Sequence, residues 1–229
     1  MNRPDNNITL KRWKADWSLI DTVLLDMDGT LLDKHFDDYF WEHYVPEVFA
    51  AKNNLTPMEA RKELLSRYKR MEGKLEWTDL DYWSEKLGLD IPALKIKVNH
   101  LIQVHPYVID FLKYCRELDK KVHLVTNAHG KTLEIKMRKT ELGSHFDRIV
   151  CSQDIGLPKE DPRFWIKLES LLGFEKQRTL LADDNENVLQ AARTYGMGVL
   201  IFVARPSSRA DIVFSSRFPG IVYFNELIV

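Results

Sequence analysis

Asp26 and Asp28 stand one residue apart in LLDMDGTLLD (24–33), after an apolar run and before Gly29-Thr30. If the run DTVLLD (21–26) is a strand, residues i and i+2 project to the same side, and both carboxylates leave its carboxyl end together. In open α/β sheets that end is where ligands bind, and Gly29 lets the chain turn away sharply. Two carboxylates about 4 Å apart repel by roughly 4 kcal/mol at an effective dielectric near 20. A metal ion, a shared proton or both must offset that repulsion. Three other readings compete. An EF-hand loop would need its glycine at the sixth position, whereas this one follows the second aspartate and a strand precedes it. The DxD of a sugar-nucleotide transferase would also hold a metal, and an ordinary Asp-Gly turn would hold nothing.

Further residues with matching chemistry recur at later strand ends. Thr126 and Asn127 end VHLVTN (122–127), Lys159 lies in GLPKEDP (156–162) after RIVCS (148–152), and Asp183 and Asp184 sit in TLLADDN (179–185). Each alone has a plain structural explanation: a turn, a solvated loop lysine, a cap for the helix pattern 186–195. Together they bring a hydroxyl, an ammonium and an acidic pair to the place where Asp26 and Asp28 already point.

The elements that must position them are a strand at 21–26 and strands at 122–127, 148–152, 179–183 and 199–203. Helical patterns alternate with the later strands. Val108, Phe111, Leu112, Cys115 and Leu118 share a face; so do Phe164, Trp165, Leu168, Leu171 and Leu172 behind Asp161-Pro162; so do Val188, Leu189, Ala192 and Tyr195. This alternation predicts an α/β fold with a parallel sheet covered by helices on both faces. Residues 34–104 show no convincing strand. Thr56-Pro57-Met58-Glu59 reads as a capping box that opens a helix closed by Gly73. Thr78 is expected to cap a short helix carrying Trp83 and Leu87, and Ile91, Leu94, Val98, Leu101 and Ile102 make one more helical stripe. Residues 1–33 and 105–229 therefore read as an α/β core and 34–104 as a helical insert.

Composition bounds the function. Lys+Arg number 33 and Asp+Glu 34, a net charge of −1, which offers no basic footprint for a nucleic acid polymer or a membrane surface. The first twenty residues hold no apolar stretch of signal-peptide length, and no run approaches the roughly 18 apolar residues of a membrane span. Cys115 and Cys151 lie in apolar contexts without a CxxC partner and read as reduced core residues. The expectation is a cytoplasmic globular protein; oligomeric state is left open, with a monomer preferred.

The order LLDMDGTLLD, VTN, PKEDP, LLADDN resembles the four motifs of the haloacid dehalogenase superfamily. The resemblance covers 21–33 and 105–203 and implies a Rossmann-like core, with the helical insert as an all-helical cap domain. A more particular likeness runs through LLDMDGTLLDKHFDDYFWEHYVPEVFAAKN, LDYWSEKLGLDI, TNAH and PKEDPRFW. It is similar to the bacterial GMP/IMP nucleotidases and spans most of the chain.

What the resemblance implies is a Mg²⁺-dependent phosphatase acting on a small phosphomonoester, in particular a purine nucleoside 5′-monophosphate. Asp26 would be the nucleophile that forms an aspartyl-phosphate, and Asp28 the acid/base that protonates the leaving oxygen and then activates water. Mg²⁺ would be held by the Asp26 carboxylate, the Asp28 backbone carbonyl and the Asp184 carboxylate. Asp183 would orient a metal-bound water, with the roles of Asp183 and Asp184 left interchangeable. Thr126, with help from Asn127, would bind the transferring phosphoryl group, and Lys159 would neutralise charge on it and on Asp26. The dehalogenase branch lacks a second aspartate, so Asp28 argues against dehalogenation. Two alternatives stay open: a phosphatase for another small metabolite such as a sugar phosphate, and a non-catalytic binder of phosphorylated ligands.

One of Phe36, Tyr39, Phe40, Trp41, Tyr44, Trp77, Tyr82 and Trp83 could stack on a purine, although aromatics at helical spacing are first of all core residues. His35, Asp37 and Asp38 could touch ribose or base. His129 could sit near the phosphate, although a loop histidine is first of all expected to face solvent, and Trp13 and Trp17 are expected to anchor the approach to the first strand.

Overall fold

The computed structural model describes residues 16–229; Trp13 lies outside them. In chain order the principal elements are β1 (Thr22–Leu25), α1 (His35–Tyr39), α2 (Val45–Asn53), α3 (Pro57–Met71), α4 (Leu80–Leu87), α5 (Ile91–Lys97), α6 (Val108–Glu117) and β2 (Lys121–Thr126). They are followed by α7 (Gly130–Thr140), β3 (Arg148–Cys151), α8 (Ser152–Ile155), α9 (Pro162–Leu172), β4 (Thr179–Asp183), α10 (Glu186–Tyr195), β5 (Val199–Val203) and β6 (Gly220–Ile221).

The strands form one sheet in the order β3-β2-β1-β4-β5-β6, every pair parallel. Side-chain alternation sends Val23 and Leu25 to one face and Leu24 to the other. The first face gathers Leu124, Ala182 and Ile201 with Phe111 and Leu112 of α6 and the helices of the insert. The second gathers Leu181, Leu200, Phe164 and Trp165 of α9, and Val188 and Leu189 of α10. This is the Rossmann-like layering expected, since central parallel strands buried on both sides must be apolar on both sides. Trp17 is buried against Phe111 and Tyr114, and its indole N–H donates to the Leu227 carbonyl at 3.1 Å. It anchors the start of β1 and the C-terminal tail to α6, in keeping with the anchor expected there.

The chain runs from β1 outward through β2 to β3, then crosses back to lay β4 on the other side of β1. The strand order therefore reverses between β1 and β4, and a crevice opens above their carboxyl ends. Leu25 pairs with Leu124 on one side and Ala182 on the other. That register places Asp26, Thr126 and Asp183 at adjacent strand ends.

Several local expectations are corrected. The helix expected behind Thr78 is capped by Asp79, whose carboxylate accepts from the N–H groups of Asp81 and Tyr82; the Thr78 hydroxyl turns back to the Leu75 carbonyl. Two N–H groups satisfied by one ionised oxygen outcompete one hydroxyl cap. The stripe from Ile91 to Ile102 is not one helix: it stops at Val98 and resumes as a 3₁₀ turn over Asn99–Leu101. The Thr56–Glu59 capping box forms as expected. The short strand β6 and helices α7 and α8 had no assigned signal. Cys115 and Cys151 are buried and unpaired, as expected. Among the described residues, no helix is long and apolar enough to cross a membrane.

Candidate active site

After β1 the chain folds into a tight loop. The Met27 carbonyl accepts from the N–H groups of Leu31 and Leu32, and Gly29 N–H donates to the Leu32 carbonyl at 2.8 Å. Gly29 adopts φ +88°, and a Cβ there would strike the Asp184 carboxylate and Pro206. Only glycine lets the Asp26–Asp28 loop lie this close to the acidic loop after β4. Asp33 clamps the far side by accepting from His35 N–H at 2.9 Å and Ser208 N–H at 3.0 Å.

Lys159 is buried between the two strand ends. Its ammonium donates to Asp26 Oδ1 at 2.5 Å, Asp183 Oδ2 at 2.7 Å and the Val125 carbonyl at 3.1 Å. Three donors meet three acceptors, so a charge removed from water is fully hydrogen-bonded. Burial opposes the charge on Lys159, but Asp183 and Asp26 outweigh it and hold its pKa well above the ordinary lysine range.

Asp183 also accepts from Asn185 N–H at 2.8 Å, so both of its oxygens are engaged. Asp184 accepts no hydrogen bond from the described residues and lines the cavity. Asn185, not the acidic pair, caps α10. Burial, then the Asp26 charge, pushes Asp183 up to about 7 and Asp184 well above the carboxylate range. Oxygens of Asp26, Asp183 and Asp184 lie within 4.8 Å of one another. Three carboxylates around one ammonium leave excess negative charge, and an all-oxygen donor set fits a small hard dication such as Mg²⁺.

Asp28 lines the same cavity but is not one of these three carboxylates. Its Oδ1 accepts from the buried ammonium of Lys136 on α7 at 2.5 Å. Burial, reinforced by Asp37 and Asp26 and countered by Lys136, moves its pKa up to about 6. Lys136 also bonds Asp37, which accepts from Lys95 on α5 at 2.8 Å. Burial opposes ionisation of Asp37, but the two ammonium groups outweigh it and keep the carboxyl well below its usual range.

Thr126 is buried, and its hydroxyl oxygen accepts from Ala128 N–H at 3.0 Å. The Asn127 carboxamide is engaged at both ends: Oδ1 accepts from Lys159 N–H at 3.0 Å and Nδ2 donates to Glu160 at 2.9 Å. Glu160 also accepts from Asn185 at 3.3 Å and so ties the loops after β2, β3 and β4 together. Asp26, Asp28, Thr126, Asn127, Lys159, Asp183 and Asp184 all line one cavity of about 760 Å³, within the range of small-molecule sites. Trp41, Tyr68, Trp77 and Lys95 of the helical insert line it as well.

Of the aromatics singled out, Phe36, Phe40 and Trp83 are core residues, whereas Trp41 and Trp77 reach the cavity. Asp38 also lines it, and Asp37 does so while tied to two lysines; His35 is not among the lining residues. His129 is half-buried and lines the cavity rather than facing solvent: it caps α7 by accepting from Lys131 N–H and lies 3.6 Å from Asp79. Sequence reasoning missed Lys136, Lys95 and the cavity-lining Lys34. Nothing in GKTLEIKMRKT separates Lys136 from the other two lysines of α7. Its burial beside Thr132, one turn earlier on α7, appears only in the structure.

A parallel α/β sheet with an acidic, lysine-clamped crevice above its reversal point is an arrangement suited to binding and transferring a phosphoryl group. The chain belongs to the haloacid dehalogenase-like hydrolases, whose sequence profile matches residues 20–196. It is 40% identical over 212 residues, 93% of this chain and 96% of the relative, to the GMP/IMP nucleotidase YrfG of Escherichia coli K12. It is 22% identical over 76% of its length to a phosphoglycolate phosphatase of Pseudomonas aeruginosa, covering 66% of that protein. Among solved structures, a HAD phosphatase from Thermococcus onnurineus superposes with a TM-score of 0.78 at 22% identity, covering 91% of this chain and 96% of that one. The protein is accordingly an enzyme of the phosphatase and nucleotidase kind.

Proposed function

We infer that the protein is a cytoplasmic, Mg²⁺-dependent 5′-nucleotidase that hydrolyses GMP and IMP. The observation that carries the substrate is the 40% identity to a GMP/IMP nucleotidase across nearly the whole of both chains. The chemistry rests on the convergence of all seven motif residues on one cavity. In this reading residues 34–104 are a cap over a core made of 1–33 and 105–229.

Asp26, Asp184 and the Asp28 carbonyl would hold Mg²⁺, which when bound neutralises the substrate dianion and lets a carboxylate approach it. Asp183, with both oxygens committed to Lys159 and Asn185, suits orienting work, while the unbonded Asp184 suits direct ligation. An Asp26 oxygen attacks phosphorus, and the ester P–O bond breaks with its electron pair going to the sugar oxygen. Asp28 supplies the proton that makes that oxygen a hydroxyl. Water then attacks the aspartyl-phosphate, gives a proton back to Asp28, and releases phosphate and Asp26. Lys159 holds Asp26 in place and balances charge as it develops, and the Thr126 hydroxyl hydrogen is free to donate to a phosphoryl oxygen.

The test is phosphate release from a panel of nucleoside monophosphates and sugar phosphates, with Mg²⁺ and with chelator, for wild type and Asp26→Asn. Turnover concentrated on GMP and IMP, and lost with Asp26→Asn, supports the reading. Turnover concentrated on other phosphomonoesters would overturn the substrate, and activity that survives Asp26→Asn would overturn the covalent step.

A further inference from the structure

Four charged side chains run in alternating sign from the cavity floor into the helical insert: Asp28, Lys136, Asp37, Lys95. Lys136 bonds Asp28 at 2.5 Å and also Asp37, and Lys95 bonds Asp37 at 2.8 Å. The two lysine side chains are 1% and 2% exposed. Lys95 also stacks over Phe36, Phe40 and Trp41, at 4.8, 4.6 and 5.6 Å from the ring centres. Two ammonium groups this far from water are tolerable only because each meets a carboxylate, so the row stands or falls as a unit. Its members come from separate places: Asp28 from the loop after β1, Lys136 from core helix α7, Asp37 and Lys95 from α1 and α5 of the insert.

We propose that Lys136 and Lys95 are positioning residues that aim the Asp28 carboxyl at the leaving oxygen only while α1 and α5 are docked on α7. With the insert docked, Asp37 holds Lys136 and Lys136 holds Asp28. With the insert displaced, Asp37 and Lys95 leave together and Lys136 loses the partner that fixes its ammonium. Proton delivery is thereby tied to closure of the cavity, which keeps the acid from acting on an open, wet site. The inference rests on Asp28 being the proton donor. It does not depend on which phosphomonoester is the substrate.

Leaving-group dependence provides the test. A sugar oxygen needs a proton as its bond to phosphorus breaks, whereas p-nitrophenolate leaves without one. Lys136→Met and Lys95→Met are compared with wild type by kcat/KM on inosine 5′-monophosphate, ribose 5-phosphate and p-nitrophenyl phosphate. The expected loss on the alkyl esters is about 100-fold for Lys136→Met, the low end of what general acid catalysis supplies, and a smaller part of it, about 10-fold, for Lys95→Met, which acts through Asp37, with less than about 3-fold on the aryl ester. Lys95→Met keeps the stem over the rings and does not touch Asp28, so it carries the test even if Lys136→Met fails to fold. Equal losses on alkyl and aryl esters, or no loss, would overturn the proposal. Wild-type cleavage of ribose 5-phosphate without cleavage of inosine 5′-monophosphate would sink the nucleotidase reading alone and leave the comparison to run on ribose 5-phosphate. Turnover of the aryl ester only, by wild type, would overturn the proton donor itself.

Discussion

The Lys159 ammonium sits between Asp26 and Asp183, 2.5 Å from one carboxylate and 2.7 Å from the other, and so bridges the ends of two neighbouring strands. The bridge holds the Asp26 oxygen in place before substrate arrives. It also makes the site's stability depend on its charge balance. Lys159→Met should leave two buried carboxylates facing each other, destabilise the fold by about 3–5 kcal/mol and remove nearly all turnover. Urea unfolding and phosphate release would check both. A variant as stable as wild type would mean the pair is not the buried contact described here.

Gly29→Ala tests the close approach of two loops. At φ +88° an alanine is strained, and its Cβ would meet the Asp184 carboxylate. The expected cost is about 1–3 kcal/mol from the backbone alone, with a fall in kcat because Asp184 must move. Thermal unfolding and steady-state kinetics on the same preparation would show whether both losses appear. Unchanged kcat would mean Asp184 tolerates displacement.

Metal dependence should separate the two aspartates at the carboxyl end of β4. Asp184→Asn removes a charge from a carboxylate that accepts no hydrogen bond from the described residues and should raise the Mg²⁺ concentration for half-maximal activity by more than about tenfold, since losing even a group that only orients a metal ligand costs that much. Asp183→Asn removes a partner of Lys159 and should lose stability, with a smaller rise in the Mg²⁺ requirement than Asp184→Asn because it only orients. A Mg²⁺ titration of each variant decides the assignment, and the opposite pattern would reverse it. Chelator should abolish wild-type turnover reversibly.

His123 on β2 is buried, and its Nδ1 has no hydrogen-bond partner among the described residues. Burial lowers its pKa from the usual value near 6.5, with the Asp147 charge opposing the shift and Lys121 and Arg148 adding to it. A folded-state pKa below the unfolded one means the unfolded chain binds more protons as pH falls. The contribution of this residue is therefore fully present above about pH 6.5 and is lost as pH falls below that. Wild type should lose more stability than His123→Leu between pH 7.5 and pH 5. Parallel urea-unfolding curves at both pH values would contradict this.

Most of the site was legible because its chemistry is written locally. Apolar runs ending in Asp26, Thr126 and Asp183 declared themselves as buried strands. The strand alternation expected to send Asp26 and Asp28 out together does not apply, because β1 ends at Leu25 and Asp28 lies in the loop, bonded to Lys136. The capping box at Thr56 was readable for the same reason, since its partners are three residues apart. The cap at residue 79 was not, because Thr78 and Asp79 are both good caps and the winner is decided by which backbone groups the chain presents.

The sequence by itself determined the class of fold, the positions of five of the six strands and the identity of the residues at their carboxyl ends, because periodicity and strand-end chemistry are short-range properties. The tertiary structure alone decided which lysines are buried. Lys136 reaches Asp28 across 108 residues, and no local pattern sets it apart from Lys131 and Lys139. It likewise decided that Gly29 must make room for Asp184, and that the Asn127 carboxamide is taken up by Lys159 and Glu160. Each depends on the strand order that lays β4 beside β1 and on helices of the insert packing over α7. Those are long-range pairings, fixed by the burial of a whole sheet and its helices rather than by neighbours in the chain.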